Sequence, residues 1–211
     1  MQKNNRIILA LDVESEEKAL QICEEVAEYI DAIKVGYPLV LKTDLSIIKK
    51  LKNFKKPVIA DFKAADIPEI SRKICEIATK SGADYVIVHG FAGEDVVRAC
   101  SEVAKIFVVA EMSHPGAKDF MSSEAEKIAG IARKYACGIV APATRPERIR
   151  KLRKIAGKGT VIISPGVKAQ GAAVGDAIKA GADFEIIGRG IYASQDPKKA
   201  AQEFADILKK L

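Results

Sequence analysis

The sequence predicts an α/β fold, a single (β/α)8 TIM barrel with a parallel eight-stranded sheet over residues 1–211. Three observations predict it. Short β-rich apolar runs alternate eight times with stretches of 3.6-residue apolar periodicity. The runs are apolar on both faces, the habit of parallel strands covered by helical crossovers. No low-complexity segment or Pro/Gly/Ser-rich linker divides the series, and barrels of this class commonly reach this length as one domain.

The first strand, RIILALD at 6–12, ends in Asp12-Val13-Glu14 where an open doubly wound sheet would carry a Gly-rich turn, and SEEKALQICEEVAEYI follows as helix. AIKVG at 32–36 places Lys34 near a strand end and leads into PLVLKTDLSIIKKLKN. PVIADFK at 57–63 delivers Asp61 and Lys63 before IPEISRKICEIATKSG. YVIVHG at 85–90 precedes GEDVVRACSEVA, and IFVVAEM at 106–112 precedes SEAEKIAGIARKYA. After GIVAPA at 138–143, RPERIRKLRKIAG opens as a helix, with Pro146 near its first position and Glu147 in its first turn. TVIISPG at 160–166 with VGDAIKAGA, then FEIIGRG at 184–190 with DPKKAAQEFADILKKL, complete the eight units.

Composition narrows the function classes. The net charge is +6, but the 34 Lys and Arg are spread along amphipathic helices without interleaved aromatics, so they read as solvated faces and not as a nucleic-acid footprint. A basic surface does favour a phosphorylated substrate. No apolar run approaches the roughly 20 residues of a membrane span, and the N-terminus starts polar; a cytoplasmic protein is expected. Cys23, Cys75, Cys100 and Cys137 are widely spaced without a C-x-x-C pair and read as reduced apolar filler.

In this barrel class the working groups project from the C-terminal ends of the strands. Asp12, Lys34, Asp61 and Lys63 collect there from three neighbouring strands, with Asp66 in the loop beyond. Alternation puts Asp61 and Lys63 on one inward face. A purely structural ion network is the alternative, yet buried ion pairs gain little over apolar packing. ISPGVKAQG and IGRGIY follow strands seven and eight, where barrels commonly bind phosphate; Gly188 and Gly190 permit close backbone approach and Arg189 supplies a charged fork. PGVKAQGAAVG is the expected lid. His89, inward at the end of strand four, reads as a hydrogen-bonded support, His114 as a residue fixing the loop of Ser113, and Arg145 as a lesser site candidate.

The segments LALD, IKVGYPL, ADFKAADIPE, VHGFAG, EMSHPGA, SPGVKAQG and GRGIY together resemble the orotidine 5′-phosphate decarboxylase family, in its archaeal form, across essentially the whole chain. The D-x-K-x-x-D core, Asp61, Lys63 and Asp66, belongs to a wider group of barrels; the lysine of IKVGYP discriminates within it. The resemblance implies conversion of orotidine 5′-monophosphate to UMP and CO2 in pyrimidine biosynthesis, without cofactor or metal, by a homodimer with shared active sites. It implies that Asp12 and Lys34 hold the ribose, Lys34 also completing the charged array. Asp61 would lie beside the substrate carboxylate, and Lys63 would donate the proton to C6. Asp66 and Ile67 would enter the neighbouring subunit's site. Ser113 would bond the pyrimidine, Pro165 would touch the substrate, and Gln170, Gly188 and Arg189 would grip the phosphate. The chain departs from the family at Ile70, where a threonine is common, which removes one expected polar contact to the partner's ribose. The competing reading is a magnesium-dependent enzyme of the same D-x-K-x-x-D group acting on sugar phosphates. Those relatives place a carboxylate where Lys34 stands, and a lysine there repels a cation.

Overall fold

Apolar side chains on both faces of each strand require helices over the whole sheet, and here the sheet also closes on itself inside a ring of helices. The computed structural model describes residues 1–168 and 170–211. Among them the order is β1 (Ile7–Leu11), α1 (Glu16–Val26), β2 (Ala32–Gly36), α2 (Tyr37–Lys42), α3 (Ser46–Leu51), β3 (Val58–Ala64), α4 (Pro68–Lys80), β4 (Tyr85–His89), α5 (Glu94–Ser101) and β5 (Ile106–Val109). The second part runs through α6 (Ala117–Tyr135), β6 (Gly138–Val140), α7 (Pro146–Ala156), β7 (Val161–Pro165), α8 (Asp176–Lys179), β8 (Phe184–Ile187), α9 (Arg189–Tyr192) and α10 (Pro197–Leu208). The strands pair in parallel in sequence order, and β1 closes the barrel against β8.

Strand alternation sorts the core into two shells. Ile8, Ala10, Ala32, Ile59, Ile87, Phe107, Val109, Ile163, Phe184 and Ile186 fill the barrel interior. The alternate residues, such as Leu9, Ile33, Val35, Val58 and Val86, pack outward under the helices. Phe107 and Phe184 are the largest fully buried side chains. Phe107 fits because its register partner is Gly138, where a Cβ would stand 2.5 Å from the Phe107 ring.

At the opposite end from the site, Asp84 accepts the Val58 N–H and Asp183 the Ile162 N–H. Each follows a glycine at φ +108°, in the repeated Gly-Ala-Asp of 82–84 and 181–183. The repeat is visible in the sequence, and it ties the starts of neighbouring strands together, β3 to β4 and β7 to β8.

Four expectations are corrected. The crossover after β2 is two helices, because Thr43 takes a non-helical conformation and Asp44 accepts the Ser46 N–H at 2.6 Å, starting α3 afresh. α6 begins at Ala117, six residues before the expected 123. Residues 189–190, read as strand, open the single turn α9. Finally, β3 is not regularly pleated. Ala60 pairs with Val86 but Ala64 with Val88, so four steps of β3 oppose two of β4, and Lys63 sits at φ +45°. Cys23, Cys75 and Cys100 are buried and all four cysteines are free thiols; burial pushes the Cys23 thiol up to about 12, as expected of unreactive filler.

Candidate active site

Three side chains reach the mouth of the barrel by continuing an inward row. Asp12, Lys34 and Asp61 each stand two residues past an interior apolar residue, Ala10, Ala32 and Ile59. The register of adjacent strands then sets them side by side. Lys34 Nζ donates to Asp61 Oδ2 at 2.8 Å and lies 3.6 Å from Asp12 Oδ1. Lys63 Nζ donates to Asp61 Oδ1 at 2.7 Å. The four groups form a row of alternating charge, and Asp61 has a cation on each oxygen.

Burial acts against the two inner charges of this row, Lys34 and Asp61, and the neighbours outweigh it. Burial pushes the Asp61 carboxyl up, but the Lys34 and Lys63 ammoniums hold it below the usual carboxylate range. Burial likewise pulls Lys34 down, while Asp61 and Asp12 lift its ammonium above the ordinary lysine value. Lys63 reaches Asp61 through its left-handed backbone, a conformation uncommon in a non-glycine residue and often found where a chain aims a functional group. The Tyr37 hydroxyl donates to the Phe62 carbonyl at 2.9 Å and braces the bulge.

The charged row forms one wall of a pocket that also takes Ser113, Pro165, Gln170, Gly188 and Arg189 into its lining. Its floor is apolar, with Ile87, Val109, Val140 and Ile186. Gly188 lies where a Cβ would meet Ala10 Cβ at 3.3 Å and the Tyr192 ring at 3.2 Å, so a side chain there would crowd both neighbours. Nine of the expected site residues therefore meet in one cavity: Asp12, Lys34, Asp61, Lys63, Ser113, Pro165, Gln170, Gly188 and Arg189.

Asp66 and Ile67 do not join them. Both are exposed beyond β3, where Asp66 Oδ1 accepts the Ile67 N–H and the Ser71 hydroxyl ties down the Asp66 backbone. Ile70 is partly exposed on the first turn of α4. Within the stretch expected to form a lid, Lys168 N–H bonds the Ala172 carbonyl at 2.8 Å, and Ala169 lies outside the described residues. His89 is not a hydrogen-bonded support: its Nδ1 is buried without a partner among the described residues, and the ring packs on Phe91 at 4.6 Å. Burial, and then the Lys63 charge, press its pKa down to about 4, so the ring is neutral. His114 is exposed on the rim, with its carbonyl accepting the Ala117 N–H. Arg145 points away from the pocket to Glu111 and the Met112 carbonyl. Sequence reasoning missed Tyr192, which lines the pocket three residues after Arg189, one turn along α9.

A family model described as Orotidine 5'-phosphate decarboxylase / HUMPS family matches residues 5–204. The chain belongs to this family. Among its relatives, the orotidine 5'-phosphate decarboxylase of Methanosarcina mazei is 56% identical over 212 residues, covering 98% of this chain and 96% of that protein. The Thermococcus kodakarensis protein of the same name is 47% identical over 209 residues, with 98% of each covered. Among solved structures, orotidine 5'-monophosphate decarboxylase from Methanocaldococcus jannaschii, complexed with inhibitor BMP, superposes with a TM-score of 0.92 at 47% identity, covering 96% of this chain and 98% of that one. As in the family resemblance read from the sequence, Lys34 stands beside the first Asp of D-x-K-x-x-D, and here it occupies one oxygen of that carboxylate.

Proposed function

We propose that this chain is an orotidine 5′-phosphate decarboxylase, a single catalytic barrel over residues 1–211 that works in the cytoplasm in pyrimidine biosynthesis. The observation that carries the reading is the Asp61 carboxylate clamped between the Lys34 and Lys63 ammoniums in a pocket that Gln170 and Arg189 also line. A dianionic phosphate suits Arg189, and an apolar floor suits a flat pyrimidine.

The chemistry follows from these groups. The C6–carboxylate bond breaks, CO2 leaves, and the electron pair stays on C6 as a vinyl carbanion with little delocalisation. Lys63 stabilises that localised charge and transfers a proton from Nζ to C6, giving UMP; solvent then restores the lysine's proton. Asp61 repels the substrate carboxylate, by about 4 kcal/mol for unit charges 4 Å apart at an effective dielectric of 20, and the repulsion disappears with CO2. Asp12 and Lys34 hold the ribose hydroxyls, Ser113 bonds the pyrimidine edge, Pro165 packs on the substrate, and Gln170, Gly188 and Arg189 hold the phosphate. Because an ammonium stands on each Asp61 oxygen, a divalent ion at that carboxylate would be repelled by two cations, which argues against the magnesium-dependent alternative.

The same reading makes the enzyme a homodimer. Tyr37, Leu41, Ile67 and Phe91 are exposed apolar residues that follow β2, β3 and β4 at one sector of the rim. Burying that sector against a second copy brings Asp66 and Ile67 to the partner's site, with Ile70 offering apolar contact in place of a hydroxyl. Among the described residues no helix is long and apolar enough to cross a membrane.

The test is loss of orotidine 5′-monophosphate absorbance with purified protein in EDTA. Turnover in chelator is the expected result. Turnover that vanishes in EDTA and returns with magnesium would move the assignment to the sugar-phosphate enzymes.

A further inference from the structure

Glu111 is fully buried two residues past the end of β5 and does not line the pocket. Its carboxylate accepts the Ser122 hydroxyl at 2.7 Å, Arg148 Nε at 2.7 Å and Arg145 Nε at 3.2 Å. An interior carboxylate with two guanidiniums adds little stability over apolar packing. What the cluster does is fasten backbone. Arg145 also donates to the Met112 carbonyl, and the adjacent Thr144 hydroxyl donates to the Ser113 carbonyl at 2.9 Å. Two successive carbonyls beneath the pocket wall are thus held from the loop after β6.

On the other side the loop that carries Gln170 packs close. At Gly166, with φ +109°, a Cβ would stand 3.0 Å from Thr144 Cγ2, 3.2 Å from Ser113 Cβ and 3.5 Å from Gln170 Oε1. Gly166 thus lets the loop that carries Gln170 lie against Thr144 and Ser113, where a larger residue would crowd both.

We infer that Glu111 is a positioning residue, which through Arg145 locks the Met112–Ser113 backbone and so sets the Ser113 hydroxyl against the pyrimidine. The inference rests on the proposed Ser113–pyrimidine contact. A misplaced polar group weakens recognition of the part of the ligand it faces and leaves the rest of the ligand unaffected.

A double-mutant cycle of Glu111→Gln and Ser113→Ala tests it, read as kcat/KM for orotidine 5′-monophosphate and as Kd for UMP and for ribose 5-phosphate, which lacks the base. Glu111→Gln should weaken UMP about tenfold and ribose 5-phosphate less than about twofold, and in the Ser113→Ala background its penalty should largely vanish. A full penalty in that background, or equal weakening of both ligands, would make Glu111 a merely structural residue and overturn the inference. If Glu111→Gln does not fold, Arg145→Met breaks the link to Met112 while leaving Ser122 and Arg148 on the carboxylate, and the same two outcomes decide. Wild-type protein that binds UMP without decarboxylating its precursor refutes the proposed function while the binding cycle still judges Glu111. Protein that binds no UMP overturns both.

Discussion

Lys34 Nζ stands 2.8 Å from Asp61 Oδ2 with both side chains buried, and Lys63 Nζ takes the opposite oxygen at 2.7 Å. Neither lysine is redundant. Asp61 stays ionised in a buried site because two cations share it, and it holds both of them, Lys34 being held by Asp12 as well. On the proposed mechanism, substrate entry adds a third carboxylate to the balanced array of two carboxylates and two ammoniums, and departure of CO2 restores the balance.

Lys63→Ala separates chemistry from binding. It should lower kcat by several orders of magnitude, because the proton donor and one counter-charge of Asp61 go together, while UMP still binds through Ser113, Gln170 and Arg189. Single-turnover kinetics with parallel UMP titration measures both. Turnover comparable to wild type would remove Lys63 as the acid.

The charged row was legible for a simple reason. Asp12, Lys34 and Asp61 sit two residues past interior apolar positions on consecutive parallel strands, so period-two alternation and strand order suffice to bring them together. Lys63 was placed correctly by an argument that does not hold in detail. Alternation assumes a regular pleat, whereas β3 bulges and Lys63 turns left-handed without a Gly or Asn to signal it. The Glu111 cluster was out of reach, since its partners Arg145 and Arg148 lie 34 and 37 residues away and their pairing depends on where α6 and α7 settle on the barrel. His89 was misread because a polar side chain at a strand end raises an expectation of hydrogen bonding, whereas its buried Nδ1 has no partner among the described residues and its ring packs on Phe91.

Arg189→Ala should act through binding. Arg189 lines the pocket from the first residue of α9, on the side of Gly188 and Gln170. Loss of a charge-assisted contact to phosphate is worth about 1.5–3 kcal/mol, so KM should rise roughly 10- to 100-fold. A truncated nucleoside substrate with added phosphite dianion should gain little activity in this variant. An unchanged KM would mean that the phosphate lies elsewhere.

Two buried groups give stability opposite pH dependences. Burial pushes Glu185 up to about 7, despite N–H donation from Gly175 and Ala177, so the native state holds its proton where the unfolded chain has lost it. Its contribution therefore declines as pH rises from about 4.5 to about 7. His89, pressed down to about 4, is uncharged where the unfolded chain is protonated, so its contribution declines as pH falls from 6.5 to about 4. Glu185→Gln should accordingly gain on wild type as pH rises from 5 to 8, by roughly 3 kcal/mol at most, and His89→Gln should gain on wild type as pH falls from 7 to 4. Urea denaturation across pH measures both; parallel curves for wild type and either variant would contradict the assignment.

The last prediction concerns Asp66, exposed three residues past Lys63 on the sector proposed to meet a second copy. If each site takes Lys63 from its own chain and Asp66 from the partner, a heterodimer of Lys63→Ala with Asp66→Ala contains one site lacking both residues and one site lacking neither. Random reassociation makes about half of all dimers mixed, so about a quarter of all sites should recover activity by the symmetry of a two-fold pair. If Asp66 served its own subunit, every site in the mixture would lack one of the two. The measurement is decarboxylation after the two inactive variants are mixed, unfolded and refolded, with mixed dimers counted by native mass spectrometry. Recovery near that fraction is the expected outcome; mixed dimers as inactive as either parent would show that Asp66 acts in its own subunit or that the two mouths do not meet.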